Sequence, residues 1–377
     1  MKKQYLLTPG PTPIPPEVAL KEALPILHHR TSEFAAIYKD AAEGLKYVFQ
    51  TKNDVYMLAG SGTGAMEMAV VNLLSPGDEI IVASCGNFGD RWIKIAETYG
   101  VKVTSVSVPW GNAVKPAEIE KALKANSNIK AVYTTFTETS TGVVNDIKSI
   151  GEIVAKTNAV LVVDSISGLG GQEFRTDEWK VDVNVCGSQK GLMLAPGLAF
   201  ISFSEKAWKL AETSKIPKFY YDIKKYKKSF ASNETPFTPP VTLIVALRES
   251  LRMIKEKGIE NMWNDYKLLA KAARAGMKAI GLELFGEVPC EVVTSAKVPE
   301  EIGGKIVKTL REKYGVSIAG GQGDLKGKII RFAHMGYIGK ADLLVGFACL
   351  EMVLAELGMK IEKGKAVAAA EEELIKG

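Results

Sequence analysis

From about residue 40 to 205 the chain alternates between two kinds of apolar pattern. In Phe34–Phe49 and Ala65–Leu74, apolar residues recur at spacings of three and four, the period of a helix with a buried face. Between helical stretches lie short apolar runs bounded by Gly, Pro, Asn or Asp: Val55–Leu58, Glu79–Val82, Lys102–Val106, Ala131–Phe136, Ala159–Val163 and Val181–Val185. Runs of that length, alternating with helices, predict strands of a mostly parallel sheet covered on both faces, and so a doubly wound α/β fold. Leu198–Phe203 reads as one more strand, with its direction left open.

The flanks follow other patterns. Thr8-Pro-Gly-Pro-Thr-Pro-Ile-Pro-Pro16 cannot be regular structure, because proline fixes φ and removes donors; it predicts an extended arm followed by a short helix over Glu17–Leu24. Residues 206–240 read as polar and irregular, with Thr235-Pro-Phe-Thr-Pro-Pro240 as a rigid turn. Beyond them come helical patterns over Val241–Lys257 and Ile259–Ile280, a strand at Glu291–Thr294, a helix over Ile302–Tyr314, a strand at Ile329–Phe332 and a final long helix. That is a smaller α+β unit. A chain of 377 residues exceeds what one core usually spans, so the expected division is a large domain over 16–245 and a small C-terminal domain over 246–377, with the arm 1–15 bordering the active site.

Composition narrows the function classes. The net charge of +5 is spread along the chain, and the densest basic run, Lys224-Lys225-Tyr226-Lys227-Lys228, reads as a solvated surface segment rather than a nucleic-acid patch. The four cysteines, Cys85, Cys186, Cys290 and Cys349, show no CxxC spacing, which predicts reduced thiols in a cytoplasmic protein and neither a disulfide framework nor a metal site. The apolar stretch at the start is too short for a signal peptide. The longest apolar segment, Leu343–Leu357, carries Glu351 and Glu356 and reads as a buried helix rather than a membrane span.

Four features carry chemistry. Ala59-Gly-Ser-Gly-Thr-Gly64 joins a predicted strand to a predicted helix; free N–H groups at a helix start suit a phosphate, and Ser61 and Thr63 add hydroxyls. It matches neither GxxxxGK[ST] nor GxGxxG, which argues against a nucleotide P-loop and an NAD-dependent oxidoreductase. Val162-Val-Asp-Ser165 puts Asp164 at a strand end, where open α/β sheets bind ligands and where a carboxylate can pair with a cationic ring nitrogen. Gly187-Ser-Gln-Lys-Gly191 sets Lys190 among small residues after another strand; burial there would free its amine as a nucleophile towards a carbonyl. Ile329-Ile-Arg-Phe332 offers Arg331 as a bidentate clamp for a carboxylate. A phosphate anchor, a ring partner, a carbonyl-reactive lysine and a carboxylate clamp are together what pyridoxal 5′-phosphate (PLP) chemistry requires.

With these motifs, and with Glu138-Thr-Ser-Thr-Gly142 upstream, the chain resembles the class V, fold-type I PLP-dependent aminotransferases, in particular the alanine–glyoxylate / serine–pyruvate group, from Thr8-Pro-Gly-Pro11 to Arg331. The resemblance implies roles. Lys190 joins the cofactor's aldehyde and later shuttles the α-proton. Asp164 holds the pyridine nitrogen protonated. Ser61, Gly62, Thr63 and Gln189 hold the phosphate, and Thr139 or Ser140 approaches the ring's 3-oxygen. Phe88, in Gly86-Asn-Phe-Gly89, stacks on one ring face and Ile166 packs on the other. Arg331 binds the substrate carboxylate, and Pro11 belongs to the arm bordering the pocket. Thr238 reaches the cofactor phosphate of a partner subunit, which implies a homodimer. Where eukaryotic members of the group usually have His and Trp, this chain has Thr63 and Phe88, and Thr235 stands where Tyr is frequent.

The expected reaction is transamination of serine or alanine with a small keto acid, glyoxylate or pyruvate, because one obvious carboxylate clamp favours small donors. Arg30, in His28-His-Arg-Thr-Ser32, is a candidate second clamp and keeps aspartate open as a donor. The alternatives are a 2-aminoethylphosphonate aminotransferase and a lyase of the cysteine desulfurase type, which would need a mobile catalytic cysteine.

Overall fold

The computed structural model describes residues 3–377, so Met1 and Lys2 of the expected arm lie outside the described residues. In chain order the elements are β1 (Tyr5–Leu6), α1 (Pro16–Glu22), α2 (Ser32–Phe49), β2 (Val55–Gly60), α3 (Gly62–Leu73), β3 (Glu79–Ser84), α4 (Asn87–Thr98), β4 (Lys102–Ser107), α5 (Pro116–Ala125) and β5 (Ala131–Thr135). A two-strand ribbon, β6 (Thr137–Glu138) and β7 (Val143–Val144), is followed by α6 (Ile147–Val154), β8 (Val160–Asp164), β9 (Val183–Gly187), β10 (Gly197–Phe203), α7 (Glu205–Ala211) and α8 (Ile223–Phe230). The C-terminal part holds α9 (Val241–Lys257), α10 (Ile259–Ala279), β11 (Val293–Lys297), α11 (Glu300–Thr309), β12 (Val316–Ser317), β13 (Ala319–Gly320), β14 (Ile329–Ala333), α12 (Lys340–Glu356) and α13 (Lys365–Leu374).

Seven strands form the main sheet in the order β2-β10-β9-β8-β5-β3-β4. Only β10 runs antiparallel to its neighbours, which settles the direction left open for Leu198–Phe203. The other six strands are parallel, so Gly60, Asp164 and Gly187 end on one edge. Apolar cores cover both faces, with α3, α4, α7 and α8 on one and α2, α5, α6 and α9 on the other. This is the doubly wound arrangement that the apolar runs predict, and it directs the strand-end loops into a shared crevice. A three-stranded antiparallel sheet, β11-β14-β13, carries Arg331. Among the described residues no helix is long and apolar enough to cross a membrane.

Four local expectations are corrected. Residues 206–240 are not irregular throughout, because α7 and α8 lie there. Ser204 caps α7 by accepting from Ala207 N, and Asp222 caps α8 by accepting from Lys224 N. The lysines of α8 obscure a buried pair three residues apart, Ile223 and Tyr226. The final long helix is two, α12 and α13, with Gly358 and Gly364 at positive φ between them, and the buried Glu351 carboxylate accepts from Gly364 N and Ala366 N at the start of α13. The helix expected over Ile302–Tyr314 starts at Glu300 and ends in a π-helical turn, Leu310–Tyr314. Strand β4, at the sheet edge, is only partly covered: Val103 and Val106 pack on the cores of opposite faces, while Lys102, Thr104, Ser105 and Ser107 are exposed.

Candidate active site

Lys190 follows β9 in a short loop, and its side chain is buried. Its amine donates to the Pro9 carbonyl and to Ser167 Oγ at 3.3 Å. The N-terminal arm is stitched to this loop: Thr12 N donates to the Gln189 carbonyl at 3.1 Å, and Thr12 Oγ1 donates to the Lys190 carbonyl at 3.0 Å. Gly10, at φ +124°, has no room for a side chain because the Lys190 stem occupies it. Pro11 is on the same arm but exposed, its carbonyl accepting from Thr8, so Pro9 is the proline whose carbonyl meets the amine. Burial pushes the Lys190 amine down to about 8; Asp164 opposes this and the Arg331 charge adds to it. An amine held there is partly neutral near neutral pH, the form that attacks a carbonyl.

Asp164 closes β8 and is buried, with Oδ1 accepting from Ile166 N at 2.8 Å. Burial pushes its carboxyl up to about 7; the Ile166 hydrogen bond opposes this, Glu138 adds to it, and the Arg91 and Lys190 charges oppose it. A buried carboxylate so destabilised gains strongly from a cationic partner such as a protonated ring nitrogen.

Ser61, Gly62 and Thr63 form the turn from β2 into α3. Ser61 is the N-cap, yet its side chain makes no cap hydrogen bond, so its hydroxyl and the first helical N–H groups remain available. Gln189 comes alongside from the lysine loop, with a buried Oε1 lacking a hydrogen-bond partner. Its side chain lies beside Gly187, as does Gly62 N. Ile166 packs directly on Gly62, which leaves no space for a side chain there.

The Phe88 end is organised by Glu138. Gly86, the N-cap of α4, has no side chain, and the buried Glu138 carboxylate takes its place by accepting from Phe88 N at 3.0 Å and Gly89 N at 2.9 Å. Glu138 also accepts from Ser140 Oγ at 2.5 Å, and Ser140 Oγ accepts from Asn87 N at 3.0 Å. The Ser140 hydroxyl proton is therefore already engaged. Thr139, its neighbour, sits 2.7 Å from Ser167 Oγ, next to the lysine amine. Arg331 reaches the same place from β14: Nε donates to Gly320 O at 2.8 Å and one terminal nitrogen donates to Thr139 O at 2.9 Å. These two carbonyls aim the guanidinium and leave its other terminal nitrogen for a carboxylate.

The fold brings Lys190, Asp164, Gln189, Ser61, Gly62, Thr63, Phe88, Ile166, Thr139, Ser140 and Arg331 to one edge. Thr235, Thr238 and Arg30 lie elsewhere in this chain. Thr235 is buried and donates to Phe237 O, Thr238 is exposed, and Arg30 pairs with Glu234 at 2.5 Å at the surface. Sequence reasoning missed Ser167, the Pro9 carbonyl, Thr12, Arg91 and the role of Glu138. Of these, Glu138, Pro9 and Thr12 stood inside stretches already singled out, whereas Ser167 and Arg91 did not.

A model of the class-V aminotransferase family matches residues 4–326. The chain belongs to that family. It is 42% identical over 98% of its length to the soluble hydrogenase small subunit of Synechococcus sp. strain PCC 6716, of which 97% is covered. It is 39% identical over 97% of its length to the L-aspartate–glyoxylate aminotransferase of Paracoccus denitrificans, and 36% identical over 98% to the serine–glyoxylate aminotransferase of Methylorubrum extorquens, each covered over 95%. Among solved structures, the ureidoglycine–glyoxylate aminotransferase of Bacillus subtilis superposes with a TM-score of 0.93 at 32% identity, covering 99% of this chain and 98% of that one. The protein is a class-V aminotransferase on the fold that the apolar pattern predicts.

Proposed function

We propose that this aminotransferase uses PLP, bound through Lys190, to move the amino group of a small amino acid, serine or alanine, to a small keto acid, glyoxylate or pyruvate. The observation that carries the reading is the meeting of a buried, readily neutralised amine, a buried carboxylate and an aimed guanidinium at one sheet edge. The cofactor's fit is supported by the uncapped α3 start, whose Ser61 hydroxyl and first helical N–H groups suit a phosphate. When bound, PLP supplies a reactive carbonyl carbon and an electron sink.

The residues divide the rest of the work. Arg331 orients the substrate carboxylate, Lys190 takes the α-proton and returns it, and the Pro9 carbonyl and Ser167 hold the amine in reach. Asp164 stabilises positive charge on the ring nitrogen. Ser61, Thr63 and Gln189 hold the phosphate, Phe88 and Ile166 bracket the ring, and Thr139 faces the lysine. Thr238 completes the phosphate site of a second subunit, so the working unit is a cytoplasmic homodimer of chains divided at about residue 245.

Small donors are supported by where the guanidinium groups are held: Arg331 is bonded to Thr139 O beside the lysine, Arg91 to Thr63, and Arg30 to Glu234. Aspartate is the second reading, favoured by the aspartate–glyoxylate relative. A desulfurase reading is disfavoured because all four cysteines are buried, with the Cys85 thiol pushed up to about 12 by burial. The test is the visible spectrum of the purified protein before and after serine, alanine or aspartate. A visible band that bleaches with serine or alanine, and is missing in Lys190→Ala, is the expected result. Bleaching by aspartate alone would replace the donor assignment, and failure of the wild type to bind PLP would remove the cofactor.

A further inference from the structure

Arg91 is a cation with no close ion pair, although its charge is felt by the Asp164 carboxylate. It lies one turn into α4, partly buried, and no carboxylate pairs with it among the described residues. Two contacts fix its guanidinium. It sits over the Phe88 ring with its central carbon 4.8 Å from the ring centroid, and Nη1 donates to Thr63 Oγ1 at 2.8 Å. The aromatic face supports the planar group at the distance at which a cation is attracted to a ring.

The Thr63 contact has a directional consequence. A hydroxyl carries one proton and two lone pairs. Arg91 occupies a lone pair, so the Thr63 proton must point to another acceptor, and none is found among the described residues. Thr63 is the second residue of α3, at the helix start where Ser61 leaves its hydroxyl unspent. A partly buried guanidinium with no close ion pair favours further negative charge nearby. The phosphate expected over this helix start would supply it.

We infer that Arg91 is a positioning residue for the cofactor phosphate, acting through Thr63 by fixing its hydroxyl as a donor to that phosphate. The inference rests on the PLP assignment above. Its signature is dependence on the phosphate itself: pyridoxal, with the same ring and aldehyde but no phosphate, has nothing for Thr63 to donate to. A hydrogen bond to a charged group contributes enough that losing it weakens binding by about tenfold or more.

The experiment titrates cofactor-free wild type, Arg91→Met, Arg91→Lys, Thr63→Val and the Arg91→Met/Thr63→Val double variant with PLP and, separately, with pyridoxal, reading absorbance. The expected result is PLP affinity down at least about tenfold in Arg91→Met and Thr63→Val, with pyridoxal affinity unchanged and partial recovery in Arg91→Lys. The double variant should be no worse than Thr63→Val alone, the non-additivity of residues that act as one unit. Equal losses for PLP and pyridoxal would reduce Arg91 to a structural residue, and additive losses would mean that it does not act through Thr63; either overturns the inference. Unchanged pyridoxal binding also verifies that each variant is folded. If wild-type chain binds neither form, the cofactor assignment falls and this inference with it; if wild type binds PLP and Arg91→Met matches it, only the inference falls.

Discussion

Asp164 shows how one residue sets stability against function. Its carboxyl is raised from 3.8 to about 7, chiefly by burial. The folded state therefore holds this proton more tightly than the unfolded chain. The penalty for burying the charge is absent below the unfolded value, grows as pH rises from about 4 to about 7, and is fully present above that. Asp164→Asn removes the charge while keeping size and the Ile166 hydrogen bond. It should stabilise the cofactor-free protein at pH 8, with the gain fading as pH falls towards 4, while transamination drops by orders of magnitude. Urea unfolding across this pH range, beside single-turnover rates, checks both halves. A gain that is the same at acid and alkaline pH would detach the effect from titration of Asp164.

Elements turn on backbone approach as much as on propensity, and two helical glycines make the point. Gly151 lies in α6, and a side chain there would run into the Trp179 carbonyl, whereas Gly304 in α11 faces open space. Alanine is intrinsically favoured over glycine in a helix by about 1 kcal/mol. Gly304→Ala should therefore raise the unfolding temperature, and Gly151→Ala should lower it because the displaced backbone outweighs that gain. Differential scanning calorimetry of the two variants measures the signs, and a shift in the same direction for both would contradict this account. The same distinction explains what could be read along the chain. Strands β2, β8 and β9 were legible because apolar runs end at Gly60, Asp164 and Gly187, and the residues at those ends are positioned by local chain direction alone. Arg91, Ser167 and the capping role of Glu138 were not legible, because each depends on segments far apart in sequence: 28 residues from Thr63 to Arg91 and 49 from Gly89 to Glu138. Helix α8 was hidden by its own lysines, which outnumber the two buried residues that hold it down.

For the whole molecule, the surface beside Thr238 bears on assembly. Phe219 is 73% exposed and Tyr220 39%, and Tyr220 stacks on Phe237 with ring centroids 4.8 Å apart. Lys225 lies over the Phe219 ring at 3.5 Å, which shields only one side of the cluster. Clustered exposed aromatics with a polar rim mark association surfaces. Thr238 follows Phe237 directly, so a second copy seated on this cluster would meet Thr238 as well. The proposed homodimer thus predicts two linked results. Wild-type chain should sediment at the mass of two chains, and Phe219→Asp should shift it towards one. If Thr238 reaches the partner's phosphate site, that variant should also lose affinity for PLP while keeping its affinity for pyridoxal. Sedimentation equilibrium with parallel cofactor titrations reads both. A single-chain mass for the wild type would sink the dimer, whereas a monomeric variant holding PLP as tightly as wild type would sever Thr238 from the site and leave the phosphate to Ser61, Thr63 and Gln189 alone.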